Sequence, residues 1–70
     1  MNSHKKRLHF QNYVYCFDFK LDKSAEEAIQ QINERGYLDK YAGSNKTLHK
    51  IGINFSSKDK KVENIKWIEI

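Results

Sequence analysis

Seventy residues with 39% hydrophobic content make one small domain, spanning residues 1–70, which buries only about 60% of the surface its unfolded chain exposes. A single cysteine, Cys16, excludes an internal disulfide and fits a reducing, cytoplasmic setting, while the opening Met1 to Arg7 lacks a signal-peptide core and no run nears the ~20 apolar residues of a membrane span. A net charge of +4 is compatible with a polyanionic partner without requiring one, and three isolated glycines exclude a phosphate-cradling loop.

In chain order, Leu8 and Phe10, the polar Gln11-Asn12 and the run Tyr13 to Lys20 predict a hairpin whose second strand is rich in aromatic and β-branched residues. Both faces of that strand carry apolar groups, with Val14 and Cys16 leading to Asp18 and Lys20 on one side and Tyr13, Tyr15, Phe17 and Phe19 on the other. Such a strand belongs inside a sheet. Ser24-Ala25-Glu26-Glu27 fits a capping box. Ala25, Ala28, Ile29 and Ile32 then recur at helical spacing up to Gly36, predicting a helix over about Ala25 to Arg35. Tyr37 to Tyr41 is read as a short helical turn that packs two rings. Lys50 to Phe55 alternates as a strand, and Val62 to Ile70 forms the last one after a polar turn.

The order ββαββ implies an α/β fold. Its centre is a βαβ unit with parallel strands, its outer pairs are hairpins, and its single main helix covers one face of a mixed sheet of about four strands. The other face is left open. A domain of this size gains from further buried area, and a second copy of the chain is the expected source, giving a homodimer.

The chemistry-bearing candidate is Asp18-Phe19-Lys20. Residues i and i+2 of a strand project from one face, so a carboxylate and an ammonium sit side by side, which is half of what metal-assisted attack on a phosphodiester requires. A strand-end ion pair explains the same spacing, and Asp59-Lys60-Lys61 repeats it in a lysine-rich polar stretch. His4, His9 and His49 have no metal-finger spacing and are expected at the surface. Cys16, in an apolar strand, is expected to be an inert thiol. The clusters Lys5-Lys6-Arg7 and Lys58, Lys60, Lys61 are candidates for meeting a nucleic-acid backbone, and solvated tails and turns account for them equally.

Taken together, Tyr13-Val14-Tyr15-Cys16-Phe17-Asp18-Phe19-Lys20, Ser24-Ala25-Glu26-Glu27-Ala28, Gln31-Ile32, Gly36-Tyr37, Tyr41 and Ile51-Gly52-Ile53-Asn54-Phe55-Ser56-Ser57 resemble the PD-(D/E)XK nuclease-like domain found at the C-terminal end of bacterial AAA-ATPase-like proteins. The resemblance runs from about Tyr13 to Trp67. It implies part of a restriction-endonuclease-like core acting on nucleic acid with Mg²⁺. Within that core Asp18 is implied as metal ligand, the Phe19 carbonyl as second ligand, Lys20 as catalytic lysine and Gln31 as a helix-borne polar group of the site. The family pattern also places an aspartate on the preceding strand. No acidic residue precedes Asp18 here, so the resemblance implies a truncated and degenerate core, with a non-catalytic dimerisation or protein-interaction module as the alternative.

Overall fold

The computed structural model describes residues 4–70, and Met1, Asn2 and Ser3 of the basic opening lie outside the described residues. The elements are β1 (His4–His9), β2 (Tyr13–Leu21), α1 (Ala25–Arg35), a 3-10 turn (Asp39–Tyr41), β3 (Thr47–Ser56) and β4 (Lys61–Glu69). They form one four-stranded sheet in the order β1-β2-β3-β4. β2 and β3 run parallel, joined by the α1 crossover, and β1 and β4 close the edges as antiparallel hairpin partners. This is the expected α/β architecture.

α1 is delimited by local chemistry. Ser24 has the extended backbone of an N-cap; its hydroxyl accepts from the Glu27 N–H at 3.0 Å and donates to the Glu27 carboxylate at 3.1 Å, satisfying one of the orphan donors of the first turn. At the other end Gly36 takes φ 63°, and the Gly36 and Tyr37 N–H groups return to the Asn33 and Ile32 carbonyls, the hydrogen-bond pattern of a left-handed helix terminator.

The buried row Ala25, Ala28, Ile29 and Ile32 faces the sheet. Ile29 and Ile32 pack with Val14, Cys16, Leu38 and Leu48, and Tyr37, Tyr41 and Ile68 close the margin of this core. Gly52 sets how near the helix comes. A Cβ there would collide with the Ala25 carbonyl and stand 2.9 Å from the Ala28 Cβ, so the missing side chain lets the first turn rest on the strand.

β1 and β3 start several residues before their sequence-based limits, while β2 and β4 differ from theirs by one residue at one or both ends. β1 starts at His4 and takes in Lys5, Lys6 and Arg7, which read as a tail because an exposed edge strand needs no apolar alternation. β3 starts at Thr47, and its burial follows both faces because it is interior.

Candidate functional site

Asp18 and Lys20 lie on the α1 side of β2, as alternation requires. Asp18 is 0% exposed, and its Oδ2 lies 4.0 Å from Lys20 Nζ, the lysine side chain being 10% exposed. Asp18 is in register with Gly52 on β3 and with Lys5 on β1. The carboxylate therefore sits beside the glycine under the helix. On its other side the neighbouring strand brings a lysine into register. Lys5 itself reaches over the Tyr37 ring, 4.5 Å from its centroid. Phe19, whose carbonyl is the implied second ligand, lies in the middle of the sheet between His4 and Ile53.

Gln31 is half-buried and lies on the flank of α1 opposite Asn33, the residue that accepts from Lys50 of β3. No hydrogen bond joins Gln31 to Asp18 or Lys20 among the described residues.

The nearby amide side chains are committed to holding the β2–α1 junction. Asn54, fully buried and in register with Lys20, accepts from the Lys23 N–H at 2.9 Å and donates to Glu63 at 3.4 Å. Asn64 accepts from the Ala25 N–H at 3.2 Å, satisfying a second orphan donor of α1. Neither residue stood out in the sequence. The signal was there in retrospect, since each is an amide side chain within a strand.

Burial pushes the Cys16 thiol above its ordinary pKa, with Arg7 and Lys5 pulling weakly the other way. It stays protonated and inert near neutrality. His49 departs from the surface position expected for it. It is buried, stacked on Tyr15 with ring centroids 4.5 Å apart, and its Nδ1 accepts from the Trp67 indole at 3.0 Å. Aromatic neighbours on β2 and β4 cover it, a cross-strand arrangement that no single segment reveals. His9 meets Tyr41 edge-on at the margin, while the side chain of His4 lies outside the described residues.

A hard divalent cation takes about six oxygen ligands. Among the described residues no group of three or more histidine, cysteine, aspartate or glutamate side chains could hold a metal, and the carboxylate at this site is fully buried with a lysine 4.0 Å away. The residues present do not fit such an ion.

Among the described residues no helix is long and apolar enough to cross a membrane. The family model of the PD-(D/E)XK nuclease superfamily matches residues 3–65, and nucleases of that superfamily generally use divalent metals. An "Uncharacterized protein in vnfD 5'region" of Azotobacter chroococcum mcd 1 is 36% identical over 55 residues, covering 76% of this chain and 11% of its own length; the chain thus spans about a tenth of that curated relative. No solved structure matches. The ββαββ sheet, with the Asp18 and Lys20 pair on its interior strand, agrees with the family match over residues 3–65, and the chain belongs to the PD-(D/E)XK nuclease superfamily.

Proposed function

We propose that this chain is a degenerate nuclease-like domain. In it the Asp18 and Lys20 pair survives as a structural remnant of a phosphodiester-hydrolysing site and does not cleave nucleic acid unaided. The observation that carries this reading is the complete burial of Asp18 beside Lys20. A catalytic carboxylate must reach a cation or a water, and this one lies under the first turns of α1. β1 brings Lys5 rather than an acid into register with Asp18, so the local field opposes a divalent cation. The Phe19 carbonyl and Gln31 belong to the same remnant, since neither adds the missing charge.

The same reading takes the segment as a part of a longer, AAA-ATPase-associated protein; the length of the curated relative agrees with a longer chain and carries no information on an ATPase. Any nucleotide hydrolysis would then belong to residues outside this segment.

The test is incubation of the 70-residue chain with single- and double-stranded DNA and with RNA in Mg²⁺ or Mn²⁺, alongside a metal titration of the Asp18 carboxyl resonance. No cleavage and no metal-dependent shift are expected. Metal-dependent cleavage that disappears in both Asp18→Asn and Lys20→Met would overturn the reading.

A further inference from the structure

The sheet has a second face, and α1 does not touch it. Strand alternation puts Leu8, Tyr13, Val62, Ile65 and Trp67 there, and Phe10 from the β1–β2 turn joins them edge-on against Tyr15; all six are exposed, Ile65 and Trp67 at 59% each. Tyr15, Phe17, Phe19 and Phe55 fill the centre and lie half-buried among them. Strands of six, nine, ten and nine residues at about 3.3 Å per residue and about 4.8 Å apart give a face on the order of 540 Å² in projection. Two such faces bury roughly 1,100 Å² in all, in the size range of weak, reversible interfaces. The face also lies near the upper end of the ~300–600 Å² that the largest patch on a monomer reaches.

Charge identifies the occupant. The basic strand residues Lys5, Arg7, Lys20, Lys50 and Lys66 fall on the α1 side by register. Among the described strand residues, the open face carries Lys6 on one edge and Glu69 on the other. A polyanion would find its aromatic platform here and its cations on the opposite side. A second copy finds complementarity instead. Lys6, Phe17, Ile51 and Trp67 form one cross-strand row, and Leu8, Tyr15, His49 and Glu69 form the next. A twofold axis along the strands lays β1 over the partner's β4, so Lys6 meets the partner's Trp67 and lies one row from the partner's Glu69, and the same contacts recur by symmetry.

We infer that this face is the interface of a homodimer in which two sheets pack with their strands aligned, apolar at the centre and charged at the rim. Asp18 lies on the other side of the sheet, so the inference stands independently of the catalytic reading.

Trp67 is the single tryptophan and reports on the face directly. Sedimentation equilibrium of the full chain from low to high micromolar concentration should show a monomer–dimer transition, with the tryptophan emission moving to the blue over the same range. Ile65→Glu should weaken the dimer by about tenfold or more. Lys6→Glu should weaken it less, and Lys6→Glu combined with Glu69→Lys should restore it. A chain that stays monomeric with concentration-independent emission overturns the inference, whether or not single-stranded oligonucleotides quench that emission. A dimer whose affinity ignores Ile65→Glu overturns it too, and a double swap without rescue overturns the strand-aligned twofold. Should Ile65→Glu fail to fold, the wild-type emission and sedimentation series decides alone.

Discussion

The two faces of this sheet are made by the same strands and obey opposite rules. Around the first turns of α1 the covered face is built from small or polar groups, Cys16 and Asp18 on β2 and Gly52 and Asn54 on β3, all buried, while the larger Leu48 and Ile68 lie toward its other end. The open face is built from rings and branched chains: His49 and Ile51 are buried among their neighbours, the central rings are half-buried, and the edge residues are exposed. The difference follows from how close the helix comes. With Gly52 under Ala25 and Ala28, α1 leaves no volume for large side chains beneath its first turns, so alternation sends the bulk to the other side. The Asp18 and Lys20 pair lies on the covered side, and the carboxylate there is fully buried. A tripeptide with the family's spacing is thus compatible with an inaccessible carboxylate, because strand geometry fixes which face a residue takes and packing decides whether that face meets solvent.

The sharpest way to break the comparison is to remove similar volume from each face. Ile32 of α1 is 1% exposed and Ile65 of β4 is 59% exposed. Ile32→Ala should lower the unfolding free energy by about 3 kcal/mol, combining lost transfer energy with an unfilled cavity. Ile65→Ala in dilute protein should cost less than about 1 kcal/mol, as for other solvent-facing substitutions. Urea titrations followed by circular dichroism measure both. Equal losses in dilute protein would mean that the two faces are equivalent and that the helix is not what separates them.

How much of this was legible depended on how local the causes were. The limits of α1 follow from Ser24, Glu27 and Gly36, which act within a few residues, and the observed helix ends where those residues place it. The shared face of Asp18 and Lys20 needs only the period of a strand, and the parallel pairing of β2 with β3 needs only the intervening helix. Asp59-Lys60-Lys61 shows the limit of spacing alone. Lys60 has φ 56° in a turn, so the strand geometry that aligns the first pair does not hold there. The burial of His49 and the junction made by Asn54 and Asn64 were not legible, because each depends on partners many positions away in the chain. The same holds for the seal over Asp18, which depends on Gly52 lying beside it in register.

A smaller perturbation acts on the cover itself. Ser24→Ala removes the acceptor for the Glu27 N–H and should cost about 1 kcal/mol. Because the first turn of α1 lies over Gly52, the loss should appear locally as faster amide exchange at the helix start and along the covered residues of β2 and β3. Exchange that accelerates equally in β4 would show that the cap supports the fold globally and not the covered face in particular.

The smallest effects are expected from pH, and they too originate on the helix side. Asp22, at the β2–α1 junction, accepts from the Ser57 N–H and hydroxyl, and these hydrogen bonds hold its carboxyl below the ordinary value of 3.8. A depressed folded pKa means that the native state binds the proton less readily than the unfolded chain. Its contribution is therefore present above pH 3.8 and fades as pH falls through the folded value. Cys16 has the opposite sign. Its thiol is raised above the ordinary 9.0 by burial, so the unfolded chain loses that proton first, and stability declines as pH rises from 9.0 toward the folded value. Asp22→Asn should flatten the acid limb of a urea-midpoint profile and leave the alkaline limb alone, and Cys16→Ala should do the reverse. The two limbs separate because the junction and the core interior touch different groups; a variant that altered both would place Asp22 and Cys16 in one coupled network, and the covered face could no longer be described as a packed interior with a separately tethered rim.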